Sequence, residues 1–134
     1  MMFPHTVTVY NKYTSAGVER WQRTVVPGVF WNAIKGAVVR RTGVQSADSV
    51  QIIIPMSAKA SRPLYLPPKA WAALTDKTGA WTMQSGDTVI KGAVTAEVIR
   101  SPKELQGYDD ILTISSVDIK GVGGNMAHFE VSGR

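Results

Sequence analysis

Ser49-Val50-Gln51-Ile52-Ile53-Ile54-Pro55 is the stretch from which the fold follows. β-branched side chains suit a pleated surface and lose freedom in a helix. Three consecutive Ile predict a strand covered on both faces, and Pro55, with no N–H to give, ends its ladder. Towards the N-terminus, residues 29–34 (Val-Phe-Trp-Asn-Ala-Ile) read as a second extended segment, and residues 36–41 as a further strand punctuated by Thr42-Gly43. Pro27-Gly28 breaks or bulges the run that begins at Arg20. Residues 5–10 set Val7 and Val9 against Thr6, Thr8 and Tyr10, the alternation of a half-buried strand. A polar turn is expected over residues 11–17.

Towards the C-terminus the character changes. Residues 57–68 form a long connection rich in Pro, Ser and Ala. Pro68 suits the first turn of a short helix over residues 69–74, with Trp71 and Leu74 on one face. Strands are then expected over residues 81–83, 88–92, 94–99, 110–119 and 126–131, with a single helical turn at 101–105 and a flexible Gly-rich turn at 121–125. About eight strands and one or two short helices make a mainly β protein. The expectation is a small single-domain β-barrel or sandwich over residues 1–134, with a long loop at about 57–68.

Composition sets the outer limits. The 134 residues suffice for one modest core, and 44% apolar against 19% charged residues is a globular balance. There is no Cys, so disulfides, thiolate zinc sites and Cys nucleophiles are excluded. The N-terminus lacks the basic start and apolar run of a secretory signal, and no run approaches the roughly 20 apolar residues of a bilayer span. A soluble protein made in the cytoplasm, with no membrane partner, is expected. Fifteen Lys and Arg against ten Asp and Glu leave +5, which permits contact with nucleic acid without demanding it.

Chemistry finds little to work with. His5 and His128 are the only histidines, and neither stands in a nucleophile-elbow or metal-ligand pattern. Asp109-Asp110 reads as a turn into a strand, and Gly121-Val122-Gly123-Gly124 lacks the Lys-Ser/Thr ending and following helix of a phosphate loop. Neither catalytic residues nor a cofactor or metal are expected, and an enzyme is the least favoured class. Lys35, Arg40, Arg41 and Lys59 are candidates for electrostatic contact with DNA. The aromatics Trp21, Phe30, Trp31, Trp71 and Trp81 sit among apolar neighbours, as core residues do. Arg62, Pro63, Leu64, Tyr65 and Leu66 lie on a Pro-stiffened segment that either docks on a partner or folds over its own barrel. Gly123, Gly124 and Asn125 are the second candidate contact.

Pro67-Pro68-Lys69-Ala70-Trp71, then Trp81-Thr82-Met83-Gln84-Ser85-Gly86-Asp87-Thr88-Val89-Ile90-Lys91-Gly92, and the ending Gly124-Asn125-Met126-Ala127-His128-Phe129-Glu130-Val131-Ser132-Gly133 resemble a family of small proteins. They are encoded in the structural gene cluster of tailed bacteriophages and prophages of Firmicutes. Val7-Thr8-Val9-Tyr10-Asn11 and residues 23–31 fit the same pattern, so the resemblance spans nearly the whole chain. It implies a head–tail connector of the virion neck, a head-completion or stopper protein. Such a protein is a β-barrel subunit of a homo-oligomeric ring around the DNA channel, in contact with portal, adaptor and tail proteins. A tail terminator or tail-completion protein, and a free nucleic-acid-binding β-barrel, are the alternatives.

Overall fold

The computed structural model describes residues 3–34, 37–40, 43–46, 49–98, 101–105, 107–121 and 127–134. Among these the chain forms β1 (His5–Ser15), β2 (Val18–Ile34), β3 (Ala37–Arg40), β4 (Gly43–Ser46), β5 (Ser49–Pro55), β6 (Leu64–Tyr65) and α1 (Pro68–Ala72). They are followed by β7 (Ala80–Trp81), β8 (Thr88–Lys91), a 3-10 turn (Pro102–Leu105), β9 (Ile111–Lys120) and β10 (His128–Gly133). Six strands close into a barrel in the order β1-β2-β5-β10-β9-β8, every neighbouring pair antiparallel. The barrel settles the choice between barrel and sandwich. β3–β4 and the parallel pair β6–β7 are separate two-stranded sheets.

β2 makes closure possible. It pairs with β1 up to Val29 and with β5 from Phe30 onward, so one 17-residue strand serves two sides of the barrel. Pro27-Gly28 is a bulge within that strand. The register skips one residue between Thr6↔Pro27 and His5↔Val29, and Gly28 takes φ 72°, a conformation that costs a side-chain-bearing residue. The extra residue changes the parity of the strand. Thr24 and Val26 face the barrel before it, and Val29 and Trp31 after it; all four are buried.

The interior is filled by Val7, Val9, Val26, Val29, Trp31, Ile52, Ile54, Val89, Leu112, Ile114, Phe129 and Val131. The Ile triplet is not covered evenly, as its composition suggested. Ile52 and Ile54 are buried while Ile53 is half-buried on the outer surface, a simple alternation. β1 is the strand covered on both faces. Thr8 and Tyr10 point outward and are still fully buried.

What covers them is the segment expected to be a strand at 94–99. Its described residues run irregularly across the outside of β1 and β8, because side chains capture its backbone. Thr8 Oγ1 donates to Gly92 O (2.7 Å) and accepts from Val94 N (2.9 Å), and Tyr10 Oη donates to Ala96 O (2.7 Å). Val94, Val98 and Leu105 then bury a second apolar cluster with Tyr10 and Ile90. Burial there pushes the Tyr10 phenol up to about 12. The expected turn at 101–105 is present and capped reciprocally: Lys103 N donates to Ser101 Oγ (3.2 Å) and Ser101 N to Glu104 Oε2 (2.9 Å).

Two further differences have local causes. The polar turn expected over 11–17 is reduced to Ala16-Gly17, both left-handed, because Asn11 is fully buried inside a continuing strand. At the other end of the chain, β10 lies so close to β9 that a Cβ on Gly133 would collide with the Thr113 carbonyl oxygen.

Candidate functional site

The barrel has two unlike ends. At one, the chain seals its own mouth. Tyr65 is wedged between Trp81 (ring centroids 5.1 Å apart) and Phe129 (4.5 Å), with Ala58, Ala60, Trp81 and Met83 packed against the same core. Backbone bonds fix the plug: Leu64 N to Gly79 O, Leu66 N to Trp81 O, and Ser61 N to Val25 O at 2.7 Å. Arg62 closes it with a fork of donors. Its Nε and Nη2 reach Arg23 O (3.2 and 2.9 Å), Nε also reaches Thr24 Oγ1 (3.1 Å), and Nη1 reaches Thr78 O. Burial, then the neighbouring Arg23 cation, lower the guanidinium pKa.

Between the two readings of 57–68, the hydrogen bonds describe a loop folded over its own barrel. Arg62 and Tyr65 are committed inward, whereas Pro63 and Leu64 are exposed and Leu66 is half-buried. A cleft of about 330 Å³ remains beneath this loop, lined by Ile54, Met56, Ala58, Tyr65 and Phe129, with Lys59 at its rim.

The same end carries a buried polar cluster that sequence reading missed. Asp87 accepts from Asn11 Nδ2 (2.8 Å), Lys12 N (3.1 Å) and Gln84 Nε2 (3.3 Å), and Asn11 also bonds the backbone of Thr82 in both directions. Burial outweighs these donors and raises the Asp87 carboxyl to about 6. The cluster ties the β1–β2 ribbon to the turn before β8. Outside it, Tyr13 meets Trp71 edge-on at 5.7 Å and Lys77 Nζ lies over both rings.

The opposite end holds the ends of β2 and β5 that lie next to β3 and β4 in sequence. β2 and β5 pair outward to Ile34↔Ser49, and the next ladder runs from Ala37↔Ser46 to Arg40↔Gly43. Both ladders have one register, each step on one strand matched by one on the other. Among the described residues the β3–β4 ladder, the arm, bonds no barrel strand, and Ile34↔Ser49, at its root, is the last barrel pair before it. Arg40 closes its ladder, while Lys35 and Arg41 belong to the arm by sequence and lie outside the described residues, as do Gly123, Gly124 and Asn125.

Lys59 does not join that basic group. It sits beyond Pro55 at the plugged mouth, at the other end of β5, about 20 Å from the arm's root. At the root, a cleft of about 260 Å³ is lined by Trp31, Ala33, Val50, Asp109, Asp110 and Arg134. Among the described residues no group of three His, Asp or Glu is placed to hold a metal ion.

Residues 2–134 match the model of one protein family. The chain belongs to it. Its description is a family of unknown function, DUF6751. No curated protein and no solved structure matches.

Proposed function

We propose that this chain is a structural protein of the phage neck, a head–tail connector of the head-completion or stopper kind that assembles as a ring around the DNA channel. The observation that carries this reading is the arm. A strand that is paired on both sides in a closed barrel has no free edge to offer a neighbour. The β3–β4 ladder bonds no described barrel strand, and Lys35, Arg40 and Arg41 fall within seven positions of the sequence in and beside it, a charged segment free to serve a neighbouring subunit. In a ring such arms gather a charge that is modest in one copy, and phosphate attraction needs no sequence readout. The resemblance to phage structural-cluster proteins agrees with this.

The portal or adaptor on one side and tail proteins on the other are the partners this role requires, and the virion neck is the location. Deleting the gene from an inducible prophage tests it. The expected lysate contains separate heads and tails, with heads that fail to retain DNA. Joined, infectious particles would overturn the reading. Tails of uncontrolled length beside full heads would assign the chain to tail termination instead.

A further inference from the structure

β9 outruns the barrel. β8 pairs with it only over Ile111–Thr113, and the last bonds on that side join Ile114 to residues 86 and 87 (2.8 Å each). From Ser115 to Lys120 the strand is paired on one side only, with β10. Bond directions in β10 show which residues face the open side. Met56 N donates to Ala127 O on the β5 side, and Arg134 and Thr113 exchange both bonds on the β9 side. Odd-numbered β10 residues thus face β5 and even-numbered ones face β9. His128, Glu130 and Ser132 stand opposite Lys120, Asp118 and Ser116. Val117 and Ile119 therefore turn their N–H and C=O groups to an edge with no partner strand among the described residues.

Side chains on this edge are unusual for a solvated strand end. Ile119 lies on the barrel-interior side but past the mouth, 51% exposed. Asp118 and Lys120 point the other way and are exposed.

We propose that this edge pairs antiparallel with the same edge of a second copy of the chain, about a two-fold axis through Ile119. In that register Ile119 faces Ile119, each exchanging N–H···O=C bonds with the other, and each Asp118 faces the other copy's Lys120, twice. Bond directions allow only registers that differ by two residues. A slip one way sets Asp118 against Asp118, and a slip the other way sets Lys120 against Lys120. Edge charges of one sign keep strands apart; here the alternation of signs favours a single self-pairing. A two-fold contact does not build a ring, so the proposal concerns the free protein and does not rest on the neck reading.

Sedimentation velocity of the full chain over a concentration series tests it. The wild type is expected to show a monomer–dimer equilibrium. Asp118→Lys and Lys120→Asp each turn two attractive pairs into repulsive ones and should weaken dimerisation about tenfold. Asp118→Lys faces Glu130 within its own sheet, so the fold is not at risk. Mixing the two variants should restore dimers, because both cross pairs are then opposite in charge. Ile119→Pro, which lacks the N–H, should abolish them. A monomer at every concentration overturns the proposal, as does a dimer indifferent to all three changes. Rings larger than two that are lost with Ile119→Pro would also overturn it while leaving the neck reading intact.

Discussion

Residues 57–66 and 35–48 are the two long connections flanking β5, and they meet opposite fates. The first has polar atoms spaced to match its own barrel: Ser61 on Val25, Arg62 on Arg23, Thr24 and Thr78, and Tyr65 between two aromatic rings. In the second, the described ladder of 37–40 with 43–46 keeps the register of β2 with β5 and bonds no described barrel strand. Stiffness and apolar content do not mark a partner-binding segment when the chain can use both itself. The difference lies in whether the segment's hydrogen bonds return to its own fold.

Removing each connection in turn should give the largest contrast. Deleting residues 58–66 takes away the plug and exposes Trp81, Met83 and Phe129, so loss of the cooperative thermal transition is expected. Replacing 35–48 by Asn-Gly, a two-residue turn closing on Ile34↔Ser49, should leave that transition nearly in place and fail to complement a deletion prophage. A folded barrel without 58–66 would erase the distinction.

Acid sharpens the contrast at the plugged end. The Asp87 carboxyl stands at about 6 in the fold against an ordinary value of 3.8, so the native state holds its proton more tightly than the unfolded chain. Its contribution to stability is therefore present below the unfolded value and lost as pH rises through about 6. Two pH units correspond to roughly 3 kcal/mol. Urea midpoints should rise between pH 7 and pH 5 in the wild type, relative to Asp87→Asn. Parallel pH profiles for the two proteins would remove Asp87 as the cause.

Arg62→Ala comes next. It strips donors from the carbonyls of Arg23 and Thr78 and from Thr24 Oγ1, and a loss of about 2 kcal/mol in chemical unfolding is expected. Arg62→Lys should recover only part of it, since an ammonium cannot span these acceptors as a fork does. Full stability in Arg62→Ala would mean that the apolar plug holds unaided.

The barrel strands were largely legible in the sequence because β-branched alternation and Pro-Gly punctuation are local signals. β5 lies where the Ile triplet put it, and the bulge lies at Pro27-Gly28. Asn11 misled because its burial depends on Asp87, 76 positions away. The strand expected at 94–99 misled because Thr8 and Tyr10, in a distant strand, take backbone bonds of Val94 and Ala96. The choice between docking and folding back at Arg62 stayed open for the same reason, since its acceptors on Arg23, Thr24 and Thr78 are distant in sequence. The basic residues at 35–41 could be found by counting charges, but the separation of the β3–β4 ladder from the barrel sheet could not.

The smallest expected effect on stability is the one that matters most for the proposed role. Alanine at Lys35, Arg40 and Arg41 together should shift the thermal midpoint little, since the ladder they lie in or beside bonds no described barrel strand. Binding to duplex DNA should weaken in all sequences alike. Its dependence on salt should also flatten, by as much as about 0.9 in log–log slope for each phosphate that is no longer neutralised. Lys59→Ala, at the other end of β5, should leave that slope unchanged. Anisotropy titrations at several salt concentrations read both. An equal weakening in Lys59→Ala would show that DNA meets the sealed mouth as well as the arm, and the comparison between the two ends would no longer divide their functions.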